Sequence, residues 1–230
     1  MASPRRLNLF IPGLLVLVLP VALMAVDVVP IGDFNKTSLD GWEPHTFVGE
    51  TTYQLYSVAD KMVLRASSQK SASALIYKIK VDLRETPILN WSWRKLKAMN
   101  PGDETLKQGD DFSARVYVIR EGGVFFWNTR ALNYVWSADH RKGEVWDNPF
   151  AGHRAKMISM RDADDSIETW YREHRIIAQD MRDILGEEPG FIHAVAIMTD
   201  TDNSGLEAMA EYGNIFFSSA EMSAESQIDQ

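Results

Sequence analysis

The 230-residue chain has no cysteine. That excludes disulfides, thiolate metal sites and a cysteine nucleophile. Histidine is scarce, and His45, His140, His153, His174 and His193 show neither HxxxH nor HExxH spacing, which argues against a zinc hydrolase. The nucleophile elbow GxSxG, the P-loop and the dinucleotide fingerprint are all missing. Positive charge is in deficit, 24 basic residues against 32 acidic for a net of −8, so the chain is not built as a general nucleic-acid binder. Internal repeats, heptad runs and low-complexity tracts are also lacking. What remains is ordinary globular composition, 45% hydrophobic and 24% charged. The chain is long enough to bury a core without a covalent or metal staple, and its length favours one domain.

The first 25 residues differ from the rest. Arg5 and Arg6 precede an apolar stretch, Leu9 to Leu23, broken by Pro12, Gly13 and Pro20. Ala22-Leu23-Met24-Ala25 then offers small residues at a cleavage point. The layout predicts a signal peptide over 1–25, and the stretch is short for a membrane span of about 20 residues. No cysteine follows that could carry a lipid anchor. The expected product is a periplasmic or secreted domain over 26–220, with an acidic flexible tail over 221–230 and no membrane contact after cleavage.

Period-2 patterning dominates the remainder. Leu75 to Leu83 alternates apolar and polar residues, as do Leu89, Trp91 and Trp93 with Asn90, Ser92 and Arg94. Phe112 to Arg120 puts Phe112, Ala114, Val116 and Val118 on one face. These read as half-buried strands. Shorter candidates are 53–58, 62–67, 156–160 and 215–218. Phe191 to Thr199 is apolar on both faces, which predicts a central strand. Met99 to Gly109 reads as a loop. One helix is predicted near His174 to Leu185, with Ile177, Met181, Ile184 and Leu185 on one face, Asp180 at its flank and Gly186 as the left-handed cap. The predicted fold is mainly β, a two-sheet antiparallel sandwich (jelly-roll or galactose-binding-like) with one short helix.

The combination Gly109-Asp110-Asp111-Phe112-Ser113-Ala114-Arg115-Val116-Tyr117-Val118, Tyr134-Val135-Trp136-Ser137, Trp170 with Arg175 and Asp180, and Met198 through Gly205 resembles a bacterial family of exported proteins, domain of unknown function 3047. The likeness runs roughly from Phe34 to Phe217. It implies a periplasmic β-sandwich and assigns no catalytic residue.

Two stretches carry chemistry of their own. Asp200, Asp202, Ser204, Gly205 and Glu211 match the spacing D-x-D-x-S-G followed by Glu. A calcium ion needs about six to eight oxygens, which alternate acids around a tight turn could supply. The flanking elements are strands rather than helices, and Glu207 stands where an EF-hand has an apolar residue, so the pattern predicts at most a structural Ca2+ loop on a β scaffold. The competing reading is a turn whose acids cap backbone amides. The second stretch, Phe125 to Trp146, crowds Trp127, Tyr134, Trp136 and Trp146 among Arg130, Asn133 and Asp139 without a clean period. Rings that stack and neighbours that hydrogen-bond suit a carbohydrate; filling the second sheet's core is the alternative. Asp111, Ser113 and Arg115 share a strand face, either as a salt bridge on the sheet or as a ligand clamp.

The predicted ligand-binding residues are therefore Trp127, Arg130, Tyr134, Trp136, Trp146, Asp111 and Arg115, and the predicted metal ligands Asp200, Asp202, Ser204 and Glu211. The sequence points first to an exported binding module for a carbohydrate or similar polar polymer. A glycan-degrading hydrolase or lyase using paired carboxylates, drawn from Asp110, Asp111, Glu168, Asp180 and Asp200, is the alternative. A structural subunit of an envelope complex is the third reading.

Overall fold

The computed structural model describes residues 26–123 and 128–219. The expected signal segment, Trp127 and the acidic tail lie outside these residues. Among the described residues thirteen strands form two sheets. They are β1 (Val28–Gly32), β2 (Trp42–Val48), β3 (Thr52–Val58), β4 (Lys61–Gln69), β5 (Ala72–Asp82), β6 (Ile88–Lys95), β7 (Arg115–Arg120), β8 (Arg130–Trp136), β9 (Val145–Asn148), β10 (Gly152–Arg161), β11 (Tyr171–Ile176), β12 (Phe191–Asp200) and β13 (Glu207–Ser218), with one helix, α1 (Ile177–Leu185). One sheet runs β11-β6-β13-β4-β3, with β1 also on β13; the other runs β2-β5-β12-β7-β8-β10-β9. The pairs are antiparallel except β8 with β10, because β9 folds back between them along the chain and takes the antiparallel place on the far side of β10.

Alternation decides what each strand buries. Leu89, Trp91 and Trp93 of β6 and Tyr212, Ile215 and Phe217 of β13 face Val116 and Val118 of β7, Leu132, Tyr134 and Trp136 of β8, and Val195 and Ile197 of β12 in one continuous core. Trp91 meets Tyr134 at 5.3 Å between ring centroids, and Trp93 meets Trp136 at 6.1 Å. β12 is the central strand that its two-sided apolar pattern predicts. Trp42 lies on β2 and packs against Phe34 and Tyr77.

The predicted helix is shorter than its periodicity suggests. Tyr171–Ile176 is an edge strand with Arg175 opposite Leu89, and α1 begins only at Ile177. Ladder partners on β6 outweigh a weak helical pattern there. Downstream, the sequence reading holds. Ile177 and Met181 are buried, and Gly186 caps the helix at φ 68° with its N–H on the Arg182 and Met181 carbonyls. Asp180 is buried too, bidentate with Arg175 and accepting the Tyr134 hydroxyl at 2.7 Å.

The loop 96–114 covers part of the outer face of the seven-stranded sheet. Beneath it Phe112, Val135, Trp146 and Met157 form a second small core. The loop's anchor is Glu104, fully buried, which accepts from the Ala138 N–H at 2.6 Å and from the Ser137 hydroxyl. Burial pushes its carboxyl up to about 7.

Candidate functional site

A cavity of about 380 Å³ opens on the outer face of the seven-stranded sheet. Its floor follows from strand alternation. Val116, Leu132 and Val118 point into the core, so Arg115, Tyr117, Ala131 and Asn133 on the same two strands point outward. Ala72, Ala74 and Met198 from the neighbouring strands make an apolar patch against Tyr117. Phe47 of β2 and Phe150 of the β9–β10 turn line the cavity as well, and they are 60% and 56% exposed. Together with the Ala72, Ala74 and Met198 patch they give the cavity an apolar side.

The polar end is built on Arg115. Its guanidinium donates to Asp200 twice, through Nε at 2.9 Å and through Nη2, to the Asp110 carbonyl at 2.5 Å, to the Asp110 carboxylate at 3.4 Å and to the Tyr117 hydroxyl at 3.2 Å. Burial works against the guanidinium's charge, but Asp110 and Asp200 outweigh it and hold its pKa above the ordinary value. Burial likewise pushes the Asp110 and Asp200 carboxyls up, since one cation serves several acids. Burial of Asp202, followed by the nearby Asp111, raises its carboxyl too.

Asp111 is turned into the β12–β13 loop. Its carboxylate accepts the Asn203 N–H at 3.2 Å and the Ser204 N–H at 2.6 Å. Asp111, Asp200 and Asp202 each offer one oxygen within 4.8 Å of the others, so this triad can hold a metal ion. The amide-capping role and the ion-holding geometry therefore coexist in the loop.

Asn133 adds an unmet group. Its Nδ2 donates to the Lys156 carbonyl at 3.2 Å, while its Oδ1 is buried with no partner among the described residues. Buried polar atoms are normally satisfied, so this acceptor on the cavity wall is an opening for a donor.

The structure brings together only some of the residues that the sequence marked. Asp111, Arg115, Asp200 and Asp202 converge. Glu211 does not join them: it is fully buried on β13, where it accepts from Arg65 at 2.5 Å and Arg94 at 2.6 Å. β13 begins at Glu207, and Tyr212, the residue after Glu211, points inward to Thr199 and Met198. Alternation therefore turns Glu211 to the outer face of the other sheet. Ser204 joins through its backbone N–H, while its hydroxyl accepts the Leu206 N–H at 3.4 Å.

Tyr134 and Trp136 belong to the core rather than to a surface, since β8 is buried on both sides. Trp146 is buried as well. It stacks on His140 at 3.8 Å and donates to the Glu104 carbonyl. Arg130 pairs with Glu187 at 3.1 Å. Sequence reasoning missed Phe47, Tyr117 and Phe150, and marked Asn133 only as a polar neighbour within the 125–146 stretch. For Tyr117 the signal was available, as the polar-side phase of a strand whose other phase is the core.

The fold and this site define a two-sheet β-sandwich with an aromatic and polar groove on one outer face. The chain belongs to the family described as protein of unknown function (DUF3047), whose model matches residues 40–216. No curated protein matches it in sequence. Among solved structures it is similar to a carbohydrate-binding module of the β-sandwich superfamily, at 9% identity and TM-score 0.44 over 81% of this chain and 60% of that one. It is also similar to the Emp47p carbohydrate recognition domain, at 12% identity and TM-score 0.44 over 84% of this chain and 95% of that one. Winged bean acidic lectin gives 12% identity and TM-score 0.41 over 86% and 100%. At these values the likeness is one of strand architecture.

Proposed function

We propose that the chain is an exported binding module whose outer-face groove takes a carbohydrate or similar polar polymer. The observation that carries this is the pairing of exposed Phe47 and Phe150 with the Asn133 Oδ1, which has no partner among the described residues, in one groove. Rings supply a face for sugar C–H groups, and an acceptor buried at the floor requires a hydroxyl donor. Asp202 and Asn203 at the polar end can accept from and donate to further hydroxyls. The basic and then apolar start of the sequence supports export.

A calcium ion at Asp111, Asp200 and Asp202 is part of this reading. It would offset the carboxylate repulsion that Arg115 alone leaves, and would fix the loop bearing Asn203 at the groove's end. Asp200 would then share its oxygens between the ion and the guanidinium.

The test is calorimetric titration of the mature chain with oligosaccharides of glucan, xylan, mannan and galactan. Saturable binding to one of them, weakened at least about tenfold by Phe47→Ala, Phe150→Ala or Asn133→Ala, is the expected result. Absence of binding across the panel, or binding that all three variants retain, would reject the groove. Release of shorter sugars that ceases in Asp110→Asn or Asp202→Asn with binding retained would make the protein a hydrolase instead.

A further inference from the structure

The outer-face groove is unbalanced in charge. The described residues that line it carry three carboxylates, Asp110, Asp200 and Asp202, against one cation, Arg115. Lys107 stands 5.1 Å from the Phe150 ring centroid but does not line the cavity.

The groove is unbalanced in hydrogen bonding as well, because its side-chain donor groups are engaged within the protein. A guanidinium has five N–H groups, and those of Arg115 go to Asp200 twice, to the Asp110 carbonyl and carboxylate, and to the Tyr117 hydroxyl. Tyr117 in turn donates to the Met198 sulfur at 3.4 Å. The Asn203 side-chain amide donates to Asp111 and Asp202, both at 3.1 Å. The Asn148 amide donates to the Met157 sulfur and the Asn133 amide to the Lys156 carbonyl.

Acceptors are what the groove has left over. Among the described residues the Asp110 carboxylate has only its 3.4 Å contact with Arg115. Burial raises the Asp110 carboxyl, and Asp111 and Asp202 raise it further, so a second cation beside Arg115 would relieve this crowding. Asn133 is a separate sign of a ligand. It is 1% exposed on the same cavity, and its Oδ1 has no partner among the described residues. An acceptor buried in this way calls for a donor.

A fitting ligand therefore brings both N–H or O–H groups and positive charge. A neutral sugar brings only the first, and a uronic acid brings the wrong sign. A protonated amine on a sugar ring brings both, and leaves the ring's C–H face for Phe47 or Phe150.

We propose that the groove selects glycans built from unacetylated amino sugars, with an ammonium group at Asp110 and Asp202 and a hydroxyl on Asn133 Oδ1. This rests on the groove being the glycan site. Asp202 also belongs to the triad that can hold an ion, so the test is made both in EDTA and in calcium.

The test is calorimetric titration at pH 6, where the amines are charged, with β-1,4-linked hexamers of glucosamine, N-acetylglucosamine and glucose, and with spermine as a cation that has no sugar ring. Saturable binding of the glucosamine hexamer is expected, at least about tenfold tighter than either neutral hexamer or spermine. Asp110→Asn and Asp202→Asn, both close in shape to the parent side chain, should each weaken the glucosamine hexamer about tenfold and leave the neutral hexamers unchanged. Phe47→Ala should weaken all three sugars. A neutral hexamer bound as tightly as glucosamine, or a glucosamine affinity unchanged in both Asp variants, would overturn the proposal and leave the groove as a glycan site. Spermine bound as tightly as the glucosamine hexamer would overturn it by showing a site for cations alone. No binding of any hexamer, in EDTA or in calcium, would remove the groove and the proposal together.

Discussion

Arg115 and Asp200 are joined side by side through Nε and Nη2 on the outer face of the seven-stranded sheet, at 2% and 1% exposure. The pair is a hub rather than an isolated bridge. Arg115 also holds Asp110 and the Tyr117 hydroxyl, and Asp200 Oδ1 accepts the Phe112 N–H at 3.2 Å. It ties β7, β12 and the end of the 96–114 loop together at the polar end of the groove.

Arg115→Met removes the cation and leaves its carboxylates buried. Breaking a buried pair from one side typically costs about 3–5 kcal/mol, and urea unfolding at pH 7.5 should show a loss of that order. The loss should shrink toward low pH. Burial already raises the folded-state pKa of Asp110 and Asp200 above the ordinary carboxylate value. A group shifted in that direction contributes stability at low pH that is lost as pH rises through its folded pKa. A deficit equal at pH 5 and pH 8 would show that these carboxylates do not titrate as a group with Arg115.

Calcium at the triad makes a separate prediction. An ion that binds only the folded chain stabilises it by roughly 2.7 kcal/mol at a hundredfold excess over its dissociation constant, which for a domain of this size raises Tm by about 5–10 °C. Thermal melts in EDTA and in millimolar calcium should differ accordingly, and Asp202→Asn should abolish the difference. Glu211→Gln should lower Tm in both conditions without changing the response, because Glu211 serves Arg65 and Arg94 on the other sheet. A calcium response lost in Glu211→Gln and kept in Asp202→Asn would return the ion to the loop spacing read from sequence.

The contrast between Glu211 and Asp111 shows what the sequence carries. Spacing along the chain tied Glu211 to Asp200, but β13 resumes at Glu207 and its alternation turns Glu211 to the opposite side. Asp111 lies 89 positions before Asp200 in the chain and reaches the same loop through the ladder of β7 on β12. Period-2 patterns made β5, β6 and β7 legible because one face of each is apolar, and apolar residues on both faces marked β12. β8 was hidden because Leu132 to Trp136 are all buried: Leu132, Tyr134 and Trp136 by the core, Val135 against Phe112, and Asn133 at the floor of the groove. A strand covered twice has no polar phase, so its aromatics imitate a ligand surface. The groove's own rings, Phe47 and Phe150, sit on an edge strand and a turn, and only the tertiary fold brings them to one cavity.

Gly109 tests the loop that covers β8. A Cβ at this position would lie 2.2 Å from the Asp103 carbonyl oxygen and 2.7 Å from its carbon, both backbone atoms that cannot step aside. Gly109→Ala should therefore displace the turn over 103–109 and cost about 1–3 kcal/mol, the usual range for overpacking. Because Trp146 donates to the Glu104 carbonyl and packs on Phe112, the same variant should expose Trp146 to acrylamide quenching. Unchanged stability and quenching would mean that the loop does not hold this core closed.

Glu104 links the same loop to pH. Its carboxyl is fully buried, accepts from Ala138 N–H and the Ser137 hydroxyl, and is pushed by burial from 4.5 to about 7. The folded state thus keeps the proton between pH 4.5 and about 7 while the unfolded chain releases it. Stability from this group is complete below pH 4.5 and is lost as pH rises through about 7. At about 1.4 kcal/mol per unit the full effect is on the order of 3 kcal/mol. Glu104→Gln keeps an acceptor for Ala138 N–H and carries no charge, so its stability should fall less than that of the parent chain between pH 5 and pH 8. The difference between the two chains, followed by urea unfolding, should grow in the variant's favour across that window. A constant difference would show that the buried carboxyl stays ionised and that its two donors, not the proton, hold the loop in place.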